Sequence, residues 1–337
     1  MTTLVSAGRK RVGLVGARGH TGAEVVRLLA AHPHLELAVA LSRAAVGQRL
    51  ADVVKGTPVS HADASRPGIA SELVIEEIAP AALAARGLDA VVLAMPNGES
   101  APWLAALPAS CVVVDLSADH RFEQGTWVYG LPELHRAALP KATRIANPGC
   151  YATGVQLALA PLLRDLSSAP HVFGVSGYSG AGTTPSPKND PEALRDNLMP
   201  YALVDHTHER EITKHLARDV FFTPHVAPFF RGITLTVSAP LARAVTVAEV
   251  RERLRFCYAG EALVRVIDGV PLVRDAAGRH DVTIGGVAVD PQGRRVVLVA
   301  TLDNLLKGAA TQAVQNLNLA LGFDELAGIP VGDRGAM

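Results

Sequence analysis

The 337-residue sequence is short of cysteine, of aromatic side chains and of net charge. Its three cysteines, Cys111, Cys150 and Cys257, lie far apart and form no C-x-x-C pair. That usage fits a reducing compartment and supplies neither a disulfide framework nor a cysteine-based metal site. Lys plus Arg number 32 and Asp plus Glu number 32. No basic excess points to nucleic acid or to an anionic membrane, although a local basic cluster could still hold a phosphate. No apolar run approaches the roughly 18 residues of a membrane span. The start, "MTTLVSAGRKRVGLVG", lacks the apolar core and cleavage site of a secretory signal. A cytoplasmic protein with no membrane partner is the expectation. Aromatic residues make up only 4%, while Ala, Val and Leu abound, as in a helix-covered parallel sheet built from small aliphatic side chains.

What is present is ordered globular chain, 49% hydrophobic and 19% charged, long enough for two domains. In the first half, apolar runs at 11–16, 35–42, 89–95 and 111–117 alternate with helical patterns at 21–32, 80–87 and 99–108. Strand, helix, strand in repetition predicts right-handed crossovers and a parallel sheet, an α/β domain. The middle reads differently. Over 172–182, "VFGVSGYSGAG", a strand runs into a Gly/Ser loop, and a polar loop, "TTPSPKNDP", follows. The stretch "GITLTVSAPL" (232–241) alternates like a half-solvated strand. A helix over 246–260 opens with Thr246 and Glu249 at capping-box spacing, and two strands, 282–290 and 294–303, meet at "DPQG". This predicts an α+β domain with a mixed or antiparallel sheet. A last helix, 307–323, is expected to pack back on the first domain. The domains are expected at 1–150 with 307–337, and at 151–306.

"LVGARGHTG" places Gly16, Gly19 and Gly22 where the first strand meets the first helix. Glycines there let the backbone turn tightly and approach a diphosphate, which sits on the unpaired N–H groups of the helix start. After the second strand, where an acidic residue would bind a ribose 2′-OH, stand Ser42 and Arg43. A hydroxyl and a guanidinium suit a 2′-phosphate, so NADP is expected rather than NAD.

In "ANPGCYATG", Pro148 and Gly149 end whatever precedes, and a helical stretch begins at Cys150. Cys150 reads two ways: a small apolar packing residue, or a thiolate stabilised at a helix N-terminus. Cys111 and Cys257 read as packing residues. A nucleophilic thiol needs a proton carrier, and "DHTHERE" offers His206 and His208. His208 and Glu211 are three apart on a helix, so the carboxylate could orient the imidazole. No HExxH pattern accompanies the histidines, so no metal is expected.

These residues bring the whole chain into resemblance with a known family. "GLVGARGHTGAE", "LSRAAVGQ", "DLSADHRF", "YGLPEL", "ANPGCYATG", "SGYSGAG", "SPKND", "HTHEREI", "FFRGI" and "DNLLKGAATQAVQNLNL" occur in order. The sequence resembles the N-acetyl-γ-glutamyl-phosphate reductases, which are similar to the aspartate-semialdehyde and glyceraldehyde-phosphate dehydrogenases. The resemblance implies a Rossmann-like cofactor domain completed by the C-terminal helix, and a middle domain that carries the histidines and assembles a homodimer or homotetramer. It implies NADPH-dependent reduction of an acyl phosphate, in arginine biosynthesis, through a thioester on Cys150, with His206 or His208 as acid/base and Glu211 beside them. It implies cofactor contacts from Gly16, Gly19, Gly22, Ser42, Arg43, Pro96, Ser179, Gly180 and Asn304. Arg121, Lys188 and Arg231 are candidates for the substrate's anionic groups. The sequence departs from the family at Asn97, where histidine is frequent, and lacks a basic residue just after "SGAG". Aminoadipyl or aspartyl phosphate is the alternative substrate, and a non-catalytic NADP sensor the alternative role.

Overall fold

A computed structural model describes residues 8–55 and 72–331. They form two compact units. The first comprises the described residues up to Asn147 and then Ala313–Ile329; the second comprises Pro148–Gln312 and the last two described residues.

The first unit runs β1 (Lys10–Val15), α1 (His20–Ala30), β2 (Leu35–Leu41), α2 (Leu50–Lys55), α3 (Pro80–Ala84), β3 (Ala90–Leu93), α4 (Ala101–Ala106), β4 (Val112–Asp115), β5 (Val128–Tyr129), α5 (Pro132–His135) and β6 (Arg144–Ala146). Its six strands are all parallel, in the order β2-β1-β3-β4-β6-β5. β3 and β4, "AVVL" and "VVVD", are buried along their whole length, as central parallel strands covered on both faces must be. One core cluster joins Val15, Val39, Leu41, Leu83, Val91, Leu93 and Cys111. Burial pushes the Cys111 thiol up to about 11, so it packs as a small hydrophobe. Because β2 and β3 lie on opposite sides of β1, the winding reverses there, and the carboxyl ends of β1 and β3 make the crevice in which such sheets bind ligands.

The second unit continues with α6 (Cys150–Leu159), β7 (His171–Gly177), β8 (Met199–Pro200), α7 (Thr207–Leu216), β9 (Phe221–Ala227), β10 (Ile233–Pro240), α8 (Val247–Cys257), β11 (Val264–Val266), α9 (Val273–Ala276), β12 (Val282–Val289) and β13 (Arg295–Leu302). The sheet is mixed, in the order β11-β12-β13-β10-β7-β9-β8. α6 packs on it where Gly154 gives room: a Cβ there would lie 2.5 Å from Leu235 and 2.9 Å from Leu302. That close approach explains a glycine inside a buried helix. α8 opens with the expected capping box, Thr246 and Glu249 bonding each other's backbone N–H. One expectation is corrected: Cys257 does not pack, for it is exposed at the end of α8.

The last helix does not start as a regular one. A π turn over Leu306–Ala310 precedes α10 (Thr311–Leu321). From Ala313 the helix belongs to the first unit, where Asn316 Nδ2 donates to Gly130 O (2.9 Å) and to Asn147 Oδ1 (3.1 Å). Among the described residues no helix is long and apolar enough to cross a membrane.

Candidate active site

In the first unit the glycine loop has the form that a diphosphate requires. Gly16 follows β1 at φ +96°, and a Cβ on it would lie 2.1 Å from the Ala94 carbonyl oxygen beyond β3. A Cβ on Gly22 would lie 2.2 Å from Gly16 O. Gly19 is the N-cap of α1, with no side-chain cap and no acidic residue in the first turn. A side chain at Gly16 or Gly22 would fill this cradle, and the helix start keeps its positive end for an anion. The residues present therefore fit a dinucleotide.

Around that loop, Ser42 caps a short turn after β2 and is half-buried. Arg43 is 75% exposed and pairs with Glu99 at 2.9 Å. Pro96 is exposed beyond β3. The neighbouring Asn97 Oδ1 accepts from the Ala118 N–H (2.9 Å), while both Asp119 oxygens accept from the Gly98 N–H (2.8 Å). Ser100 Oγ donates to Asp119 (3.0 Å). Asn97 thus fastens the β3 loop to the segment after β4. Arg121 is buried there, donating from Nε to Asn147 O (2.9 Å) and from Nη2 to Leu116 O (2.8 Å).

In the second unit Cys150 is the first residue of α6, at the helix start as expected, and the cap, Gly149, offers no side chain. Cys150 is partly exposed, unlike buried Cys111. The Gly149 N–H donates to Glu211 Oε1 (2.9 Å), and Glu211 is fully buried on α7. Glu211, whose carboxylate is expected to orient His208, holds the cap of the cysteine helix. α7 itself starts from His206, whose Nδ1 accepts from the His208 N–H (3.0 Å). Burial, and then the charge of Lys188, push the His206 imidazole down to about 4. His206, His208, Tyr151, Tyr201 and Phe222 form one aromatic cluster, with the two histidine rings 5.0 Å apart. Lys188 Nζ lies 4.9 Å from the Tyr201 ring centre.

The remaining candidates in this unit make a polar lattice. Asn304 Nδ2 donates to Ser179 Oγ (2.9 Å), and its Oδ1 accepts from the Gly232 N–H (2.8 Å). Gly180 lies against Ser176, 2.9 Å from where its Cβ would stand. Arg231 is buried in a two-pronged pair with Asp303, at 2.7 and 3.2 Å. Among the described residues no three His, Cys, Asp or Glu side chains are grouped to hold a metal ion.

Two family profiles match this arrangement unit by unit: "Semialdehyde dehydrogenase, NAD binding domain" over residues 11–142, and "Semialdehyde dehydrogenase, dimerisation domain" over residues 150–304. The N-acetyl-gamma-glutamyl-phosphate reductase of Stenotrophomonas maltophilia is 56% identical over 322 residues, 95% of this chain and 98% of that one. That of Xanthomonas oryzae pv. oryzae is 54% identical over 321 residues, covering 94% and 98%. The chain belongs to the N-acetyl-γ-glutamyl-phosphate reductase family. The fold extends further. Aspartate semialdehyde dehydrogenase II of Vibrio cholerae, complexed with ASA, superposes with a TM-score of 0.74 at 19% identity, over 94% of this chain and 99% of that one. The Candida albicans aspartate semialdehyde dehydrogenase with NADP gives 0.72 at 19% identity, over 94% and 99%.

Within this reductase family frame, several polar residues around the site carried no signal in the sequence reading. Tyr201 is one. Burial, and then its electrostatic interaction with Cys150, hold its phenol well above the usual range, so it remains a neutral hydrogen-bonding group. Asp115, at the end of β4, stands in the "DLSADHRF" motif, but the sequence assigned it no role. It is buried and accepts from the Ser117 N–H (2.8 Å) and hydroxyl (2.9 Å), while burial raises its carboxyl above the ordinary value. The "DLSADH" stretch was visible as a motif, but its bonding is set by chain that returns from residues 97–100.

Proposed function

We propose that the chain reduces N-acetyl-γ-glutamyl phosphate to N-acetylglutamate 5-semialdehyde and phosphate with NADPH, a step of arginine biosynthesis in the cytoplasm, with Cys150 as nucleophile. The observation that carries the reading is the partly exposed thiol at the first position of α6, in the same unit as the His206–His208 pair. The helix start favours the thiolate. The sulfur attacks the acyl carbonyl, a C–S bond forms, the C–O bond to phosphate breaks, and phosphate departs from a thioester on Cys150. Backbone N–H groups at the start of α6 stabilise the oxyanion. When bound, NADPH supplies the hydride that takes the thioester to the aldehyde level. Collapse then expels the Cys150 thiolate and frees the semialdehyde.

His208 is the acid/base of this reading. His206 is bound at Nδ1 as the cap of α7 and is held neutral, so it is a positioning residue. Gly16, Gly19 and Gly22 take the diphosphate, and Ser42 with Arg43 the 2′-phosphate, Arg43 exchanging Glu99 for it. Pro96 in the first unit, and Ser179, Gly180 and Asn304 in the second, are the further cofactor contacts of this reading. Lys188 is the best substrate anchor, because Arg121 and Arg231 already spend donors inside the protein. A homodimer or homotetramer is proposed through the open face of the second unit's sheet, where Phe173 and Phe221 are 43% and 53% exposed.

The test is the reverse reaction, run with phosphate, NADP and each candidate semialdehyde. N-acetylglutamate semialdehyde is expected to give the highest kcat/KM. Preference for aspartate or aminoadipate semialdehyde overturns the substrate assignment.

A further inference from the structure

The motif "DNLLKGAATQ" is not used up by cofactor or substrate contacts. Its middle is the π turn, closed by bonds from the Gly308 N–H to Asp303 O and from the Ala310 N–H to Leu305 O, both 2.9 Å. π turns are uncommon and cluster at functional sites. This one leans on the nucleophile. A Cβ on Gly308 would stand 2.7 Å from Cys150 Cβ and 3.2 Å from Cys150 Cα. Neither atom can swing away, since both are fixed by the backbone of α6. The base of the turn is equally fixed. Asp303 Oδ1 accepts from the N–H groups of Leu305 (2.8 Å) and Leu306 (3.2 Å), and Oδ2 accepts from the Gly278 N–H (2.6 Å). Arg231 then neutralises the same fully buried carboxylate. A charge paired and bonded this completely persists in a dry interior because breaking either partner is costly.

We propose that Arg231, Asp303 and Gly308 form a brace that sets the position of the Cys150 sulfur. They are positioning residues, and Arg231 acts through Asp303 and the π turn instead of touching substrate. The proposal rests on Cys150 being the nucleophile, but its contact can be tested without catalysis. A one-ångström displacement of a reacting atom costs on the order of 100-fold in rate, which sets the scale of the expected effects.

The first arm is a double-mutant cycle in Tm between Gly308→Ala and Cys150→Gly. Removing the Cys150 side chain removes the 2.7 Å contact but leaves those to Asp303 O (3.1 Å) and Cys150 Cα (3.2 Å), so Gly308→Ala should lower Tm by several degrees in the Cys150 protein and by less in the Cys150→Gly protein. Equal losses in the two backgrounds overturn the brace. If Gly308→Ala alone fails to fold, recovery of folded protein in the double variant supports the contact, and failure of both overturns it. The second arm is alkylation of Cys150 by iodoacetamide without substrate, followed by mass spectrometry across pH. Arg231→Lys keeps the charge and loses the two-pronged geometry. It should change the rate or pH midpoint of alkylation and lower kcat ~10-fold or more, with substrate KM moved less than kcat. A rise in substrate KM with unchanged alkylation would return Arg231 to substrate binding. Should Cys150→Ser keep full activity, the nucleophile reading fails while the Tm cycle still reports on the contact.

Discussion

At Cys150 the decisive facts are local: one thiol, the first turn of one helix, a cap without a side chain. Cys150→Ser is expected to fold and bind NADPH, measured by fluorescence titration, and to lose acyl-phosphate reduction almost entirely, because serine's alkoxide is scarce at neutral pH. The histidines make a second prediction. His206 sits near 4 in the folded protein against about 6.5 unfolded. Between those values the unfolded chain binds the extra proton, so stability is full above the upper value and falls as pH drops toward the lower. Denaturant titrations at pH 7.5 and 5 should show this loss in the native protein. They should show it reduced in His206→Asn, whose amide can still cap α7. His208→Asn should change the pH–rate profile, and His206→Asn should leave its shape. The reverse result would exchange their roles. Spacing alone left both histidines open, and the capping bond of His206 belongs to a helix start for which histidine is not a usual signal.

Elements turn these residues into a site. α6 and α7 are tied by Glu211 to the Gly149 N–H. Glu211→Ala should cost about 1–3 kcal/mol by leaving a buried donor unmatched, read by denaturant unfolding. Glu211→Gln keeps an acceptor and should lose less; equal losses would mean the tie carries nothing. In the other unit, Gly22→Ala should raise the KM for NADPH about tenfold or more, through its clash with Gly16 O, while alkylation of Cys150 stays unchanged. Much of this scale was legible in the sequence. The apolar runs of β1 to β4 are strands because buried parallel strands need no polar face, and the Thr246–Glu249 box declares the start of α8. The pairings were not legible. Arg231 and Asp303 are 72 residues apart, so nothing within "FFRGI" announces the ion pair they form. Nor does any local pattern place β6 between β4 and β5.

At the scale of the whole molecule, the proposed interface is the open sheet face of the second unit, where Phe173 and Phe221 are exposed. Phe173→Glu should shift sedimentation toward monomer; an unchanged mass would move the interface elsewhere. NADPH should be used with higher kcat/KM than NADH, and Arg43→Ala should narrow that gap; equal use of the two cofactors in the native protein would remove Ser42 and Arg43 from the 2′-phosphate. The catalytic predictions depend on one covalent event. Protein mixed with N-acetyl-γ-glutamyl phosphate in the absence of NADPH, quenched in acid, digested and weighed by mass spectrometry, should carry an N-acetylglutamyl group on Cys150 that hydroxylamine removes. An unlabelled Cys150, or a label on another residue, would contradict the account.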